Sequence, residues 1–281
     1  MNVLLALAGS LAILPILATD APAQAAAPAD SLPARTSASV SVVDTFSIAS
    51  STHRDTLRVI VRLPPGYAKD RRYPVVYTLQ PGVYFQRLQL PTWLDSAEAM
   101  GARPVIAVAI PDADGLAAFR PDTPEGDAYV RFIAEELVPA VEARHATRAE
   151  PAGRLLLGFS AGANVLLDVA VRNPALFGRM AAVSPGWMFR SDDGGIGVQF
   201  DSSAVANIRR APSAPVTNVW FVWGDGPSEW ERRSRVLGAG VIAALRARGV
   251  TVRDAGLVPG DHGLDLARKT LAGAMDYLLA P

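Results

Sequence analysis

Arg154-Leu155-Leu156-Leu157-Gly158-Phe159-Ser160-Ala161-Gly162-Ala163-Asn164-Val165-Leu166-Leu167-Asp168-Val169-Ala170-Val171-Arg172 decides the fold. The residues up to Phe159 form an apolar run of the kind that fills a central parallel strand covered on both faces. From Ala161 the rhythm changes, and Val165, Leu166, Val169 and Ala170 recur at helical spacing as far as Arg172. Ser160, flanked by Gly158 and Gly162, therefore falls on a strand-to-helix turn. Such a turn forces the serine into a strained backbone conformation, and the two glycines let strand and helix approach closely on either side. The start of the helix also aims free N–H groups and the positive end of its dipole at any charge developing on an attacked carbonyl oxygen. The N–H of Ala161 is the first expected oxyanion donor. A serine that merely capped a helix would not require both glycines.

Outward from this stretch, short apolar runs alternate with segments of helical period. Strands are expected at Val42 to Ile48, Leu57 to Leu63, Pro74 to Leu79, Val105 to Ile110, Arg154 to Phe159, Met180 to Val183, Val216 to Trp223 and Val252 to Val258. Helices are expected at Thr92 to Met100, Asp127 to Arg144, Ala161 to Arg172, Glu229 to Arg248 and Leu264 to Leu279. The first two strands read as an antiparallel hairpin. The rest describe an α/β fold, a mostly parallel central sheet with helices on both faces, of the α/β-hydrolase type. Arg190 to Pro215, rich in Gly, Ser and Asp, reads as a loop or small lid.

The chain has 281 residues, half of them hydrophobic, enough for one large core in a single catalytic domain over residues 40–281. Val3 to Ala18 is an apolar run too short to span a bilayer, and Ala23-Gln24-Ala25 supplies a small-x-small cleavage pattern. Residues 1–25 are thus expected to be a signal peptide and 26–39 a flexible lead-in, which places the mature protein in the periplasm or outside the cell. The first residues carry no Lys or Arg, an atypical feature for such a signal. Acidic and basic residues balance at 27 each, so no field draws the chain to nucleic acid or to an anionic membrane. Cysteine is absent and there are three histidines. That excludes disulfides and thiolate nucleophiles and argues against a dedicated zinc centre; no metal or other cofactor is expected.

In a fold of this type the acid and then the histidine follow the serine along the chain. His262 is the single histidine after Ser160, in the loop Pro259-Gly260-Asp261-His262-Gly263 between the last strand and the last helix. It is the expected general base, while His53 and His145 are expected to be structural or solvated. The acid belongs at the end of the strand Val219 to Trp223, where Gly224-Asp225-Gly226-Pro227-Ser228-Glu229-Trp230-Glu231 offers three carboxylates. Glu229 is favoured, Asp225 is second and Glu231 third; spacing alone does not choose among them.

Five further landmarks accompany the elbow: Leu63-Pro64-Pro65-Gly66-Tyr67, Tyr73-Pro74-Val75-Val76-Tyr77, Glu136-Leu137-Val138-Pro139, Asn173-Pro174-Ala175-Leu176-Phe177-Gly178 and Ser184-Pro185. With them the chain resembles the esterase family of α/β-hydrolases that includes esterase D, siderophore esterases, feruloyl and acetylxylan esterases and the antigen 85 mycolyltransferases. The resemblance gives Ser160 and His262 the nucleophile and base positions, and the glycine-rich loop ending in Glu229 is similar to the mycolyltransferase version; an Asp nearer the strand, as in many of the esterases, corresponds to Asp225. Where the family has His-Gly or Asp-Gly after the third strand, this chain has Gln80-Pro81-Gly82-Val83. Proline has no N–H, so the second oxyanion donor is Gly82 or Val83. Tyr84, Phe85, Trp187 and Trp230 fall at expected strand ends and are candidates to line an acyl or sugar pocket. By the same resemblance Arg120, in the loop Phe119 to Pro124, matches a family position near the active site, with bracing of that loop as the alternative role.

The implied activity is hydrolysis of a carboxylic ester through an acyl-enzyme, on a small-molecule or saccharide-linked substrate. Acyl transfer to an alcohol, and an inactive binding protein on the same scaffold, are the alternatives. The residues identify neither the ester nor an oligomeric state.

Overall fold

The helical residues of the elbow segment sit in the middle of a layered structure because nearly all of those from Ala161 to Val171 are apolar, Asn164 and Asp168 being the polar exceptions. In the computed structural model, which describes residues 40–112, 123–187, 203–215 and 217–281, all side chains from Ala161 to Val171 are buried. A helix of that kind belongs against the centre of a sheet. Residues 1–39, where the export signal and lead-in are expected, lie outside the described residues, as does Arg120. Ser39–Pro281 forms a compact unit of its own.

The sheet has eight strands in the order β1-β2-β4-β3-β5-β6-β7-β8. They are β1 Val42–Ala49, β2 Thr56–Leu63, β3 Val75–Thr78, β4 Ile106–Ala109, β5 Arg154–Phe159, β6 Arg179–Val183, β7 Asn218–Gly224 and β8 Val252–Val258. β1 and β2 form the antiparallel hairpin, β2 runs antiparallel to β4, and every later pairing is parallel. The short central strands β3 and β4 are buried throughout, as continuous apolar runs in a doubly covered sheet must be. The fold is that of an α/β-hydrolase. Among the described residues no helix is long and apolar enough to cross a membrane.

The helices are α1 Leu90–Ala99, α2 Pro124–Arg131, α3 Val138–Arg144, α4 Ser160–Arg172, α5 Ser203–Arg210, α6 Glu229–Ala247 and α7 Leu264–Leu279. One core layer packs residues of α3, α4 and α6 against β2, β3 and β7. The opposite layer sets α1 and α7 against β5, β6 and β7. The helix expected over Asp127 to Arg144 is present but carries a π-helical segment, Phe132–Leu137, between α2 and α3. Pro139 gives the reason: inside a helix it donates no hydrogen bond and its ring crowds the carbonyl four residues back, and a widened turn relieves both. Three elements have no counterpart among those expected from the sequence: the π-helical segment Gly82–Arg87 after β3, the single 3-10 turn Pro151–Gly153 before β5, and α5. α5 occupies Ser203–Arg210 of the stretch expected to be a loop or lid.

Three neighbouring strands end in the same unusual way. Gln80 after β3, Ser160 after β5 and Ser184 after β6 have φ of 60°, 54° and 40°, the left-handed region that a residue with a Cβ avoids. All three lie at the C-terminal edge of the parallel strands, where α/β sheets place their ligand sites.

Candidate active site

Ser160 leaves β5 and opens α4 with the strained backbone that the glycine pattern anticipates. Gly158 is required there because a β-carbon would lie 2.5 Å from Ala163 Cα. On the other side Gly186 presses against the elbow, and a β-carbon on it would stand 2.8 Å from the Ala161 nitrogen and 3.2 Å from Ser160 Oγ. The space in front of the serine and of the Ala161 N–H is thus kept open by the absence of a side chain at residue 186.

His262 reaches the serine from the loop between β8 and α7. Ser160 Oγ and His262 Nε2 are 2.9 Å apart. The imidazole is held on its faces by Phe159, stacked at 4.9 Å and 23°, and by Trp230, tilted at 5.0 Å and 45°. Its loop is fixed by backbone bonds: Asp225 N–H donates to Val258 O (3.0 Å), Gly226 N–H to Gly260 O (2.8 Å), and Gly260 N–H to Asp225 Oδ1 (2.9 Å). Asp261 binds the neighbouring loop as well. Its carboxylate accepts from the hydroxyl of Ser228, from Ser228 N–H at 3.2 Å and from His262 N–H at 2.8 Å. The Ser228 hydroxyl bond leads the effects that hold its carboxyl below the usual range.

The structure separates the three competing acids. Glu229, the favoured candidate, points to the surface and pairs with Arg232 and Arg233 on its own helix, its side chain 53% exposed. It does not approach His262 and is replaced as the candidate acid. Asp225 clamps the histidine loop through its Oδ1, as above. Glu231, in the first turn of α6, is fully buried. Its Oε1 accepts from Gly224 N–H at 2.6 Å and its Oε2 accepts from Ser184 Oγ at 2.6 Å. That same Ser184 oxygen lies 2.8 Å from His262 Nδ1, whereas Glu231 Oε2 is 3.5 Å from Nδ1. The geometry brings Ser160, His262, Ser184 and Glu231 into one line of contacts.

The oxyanion side is also decided in part. Val83 and Tyr84 N–H both donate to the Gln80 carbonyl, at 2.8 and 3.2 Å, which removes Val83 as a donor. Gly82 is the first residue of the helical segment and has no preceding helical carbonyl to bond. Among the aromatic candidates, Tyr84 and Trp187 are not at the surface of the site. Tyr84 is 2% exposed in the core beneath α1, and burial pushes its phenol far above its ordinary value. Trp187 is 1% exposed with its indole N–H donating to Ser234 O at 2.9 Å. Ser234 Oγ donates in turn to Pro185 O at 2.5 Å, which secures the Ser184–Trp187 turn to α6. Trp230 stands beside His262 and remains a wall of the site. Among the described residues no group of three or more His, Cys, Asp or Glu side chains is placed to hold a metal ion.

Comparison with known proteins gives the family and the fold. The "Putative esterase" family model matches residues 50–266, and the chain belongs to that family. A protein of Bacillus subtilis (strain 168) described as "Uncharacterized protein YjcH" is 31% identical over 137 residues, 47% of this chain and 56% of that one; the match spans little more than half of the relative. Among solved structures, a ferulic acid esterase superposes with a TM-score of 0.71 at 19% identity, covering 85% of this chain and 98% of its own. An IroE-like serine hydrolase from Shewanella oneidensis gives 0.68 at 17% identity, over 85% and 80% of the two chains. These superpositions place the chain in the α/β-hydrolase fold.

Proposed function

We propose that the chain hydrolyses carboxylic esters through an acyl-enzyme on Ser160, with His262 as general base and acid and Glu231 as the carboxylate behind it. The 2.9 Å contact between Ser160 Oγ and His262 Nε2, on a serine held at φ 54°, carries this reading. Nε2 takes the hydroxyl proton as Oγ bonds to the ester carbonyl carbon. The resulting oxyanion is held by the N–H groups of Ala161 and Gly82, backbone donors of the kind that cost little reorganisation. Collapse expels the alkoxide, which takes the proton from Nε2. Water, deprotonated by His262, then attacks the acyl-serine; its collapse returns the proton to Ser160 and releases the acid.

The substrate is an uncharged or weakly charged small ester, in keeping with the balanced net charge and with the name of the ferulic acid esterase that shares the fold. Trp230 beside His262 offers an aromatic surface for an aryl acyl group or a sugar ring. Residues 1–25 direct the chain out of the cytoplasm in this reading. The test is hydrolysis of p-nitrophenyl acetate and methyl ferulate by the purified protein and by Ser160→Ala, together with labelling by a fluorophosphonate. Turnover and labelling confined to the unaltered serine are expected; equal rates for the two proteins would refute the proposal.

A further inference from the structure

The connection from carboxylate to imidazole has an extra member. Glu231 Oε2 is 3.5 Å from His262 Nδ1, beyond the range of an N–H···O bond, while Ser184 Oγ stands 2.6 Å from the one and 2.8 Å from the other. We propose that Ser184 is a positioning residue of the active site, whose hydroxyl relays Glu231 to His262 and fixes the imidazole tautomer. This rests on the reading of Ser160 and His262 as nucleophile and base.

Proton counting gives the direction of the chain. An ionised carboxylate only accepts, so Glu231 takes Gly224 N–H on Oε1 and the Ser184 O–H on Oε2. That commits the one proton of the hydroxyl, and its oxygen faces Nδ1 with lone pairs alone. Nδ1 must therefore carry the ring proton, which leaves the Nε2 lone pair for the Ser160 O–H. Each group donates forward from Ser160 to Glu231, and the chain ends on a backbone N–H that holds the carboxylate in place. When Nε2 takes the serine proton, the new positive charge meets a hydroxyl already polarised by the carboxylate.

Two further observations point to the hydroxyl as the reason for this residue. Ser184 is fully buried with φ at 40°, a conformation in which glycine would be cheaper and serine gains nothing from its β-carbon. Nor can the neighbours close the gap without it. Phe159 and Trp230 bracket the imidazole, and the second oxygen of Glu231 is tied to Gly224 N–H. Trimming Ser184 leaves Nδ1–H facing an acceptor out of reach.

Ser184→Gly in the full chain, which suits the backbone and removes only the hydroxymethyl group, is the test, with three readouts. For p-nitrophenyl acetate we expect kcat to fall about 100-fold with KM within about threefold. The acid limb of the kcat–pH profile is expected to move to lower pH, because the imidazolium loses its acceptor. In proton NMR the low-field Nδ1–H resonance, assigned by its loss in His262→Gln, is expected in the unaltered protein and absent from Ser184→Gly. A kcat within threefold of the unaltered protein, an unmoved pH limb, or persistence of the resonance would each overturn the relay. The resonance reads the relay whether or not the ester is turned over, so a protein that shows it but neither hydrolyses esters nor labels at Ser160 sinks the proposed function and spares this inference.

Discussion

Replacing Glu231 by Gln tests the assignment of the acid most directly. The amide is isosteric, and its Oε1 can still accept from Gly224 N–H at the 2.6 Å position. Its nitrogen then faces Ser184 Oγ and donates where the carboxylate accepted. The hydroxyl must turn its proton toward Nδ1, Nδ1 becomes an acceptor, and the ring proton moves to Nε2. In that tautomer His262 cannot take the proton of Ser160. The same change of tautomer in a serine protease triad lowers kcat about 10⁴-fold, which is about 5 kcal/mol of barrier. Stability should move the other way or not at all, because Glu231 is buried with only neutral hydrogen-bond partners in the resting state, and removing an unpaired buried charge relieves desolvation. Glu229→Gln breaks only exposed pairs on one helix, worth at most about 0.5 kcal/mol, and should leave kcat unchanged. Asp225→Asn keeps the Oδ1 acceptor for Gly260 N–H and should stay within about threefold of full activity, since no chemistry runs through it. Initial rates on p-nitrophenyl acetate from pH 6 to 9, beside thermal melts of each variant, decide the matter. A Glu231→Gln protein within tenfold of full activity, beside a Glu229→Gln protein that has lost most of it, would refute the assignment.

Three other outcomes are expected. Gly186→Ala places a β-carbon 2.8 Å from the Ala161 nitrogen and 3.2 Å from Ser160 Oγ; losing access to that oxyanion donor should lower kcat about 100-fold or more, and a variant with normal kcat would show that the donor lies elsewhere. Ser160→Gly should abolish turnover yet raise stability by about 1 kcal/mol, because glycine adopts φ 54° without strain; an unchanged or lower denaturation midpoint would argue against a strained elbow. His145 is buried and its pKa lies below the ordinary value, chiefly through burial and also through Arg144 and Lys69, with Asp44 opposing. The unfolded chain takes up a proton near pH 6.5 that the folded one refuses until lower pH, so stability is full above about 6.5 and declines as pH falls toward the folded value. Urea midpoints from pH 5 to 8 should fall more steeply at the acid end for the unaltered protein than for His145→Gln, and parallel curves would refute this.

Much of the sheet was legible because apolar runs bounded by Gly and Pro leave little freedom in strand placement. β5 and β8 have the expected ends, and β1, β2 and β6 differ by one residue. The acid was not legible from the loop read as a loop. Glu229 and Glu231 are two residues apart on α6, about 200° around the axis, so one faces out when the other faces in. A period of 3.6 carried back from the middle of the helix would have chosen between them. Glu231 shares the buried stripe with Ser234, Gly238, Val241, Ile242 and Leu245, and Glu229 lies off it. Tyr84 and Trp187 were misplaced for a different reason. Tyr84 sits in a six-residue helical segment and Trp187 in the turn after β6, stretches too short for a period to tell whether a ring points into the core or toward a cleft. Ser184 was visible only as a family landmark; its contact with residues 47 and 78 positions away depends on tertiary packing.

Gln80, Ser160 and Ser184, the left-handed residues that end β3, β5 and β6, also set a limit on engineering. Each strained position costs about 1–3 kcal/mol, so together they take a sizeable part of the 5–15 kcal/mol by which a domain of ordinary stability stays folded. Glycine at any of them is an obvious thermostabilising substitution by backbone criteria alone. Yet one would remove the nucleophile, one the hydroxyl between His262 and Glu231, and one would alter the turn that presents Gly82. A search for hardier variants that scores only melting temperature will drift toward these positions and return stable proteins with impaired or abolished activity. Selection on turnover has to be applied at the same time, and heat resistance sought at the far edge of the sheet.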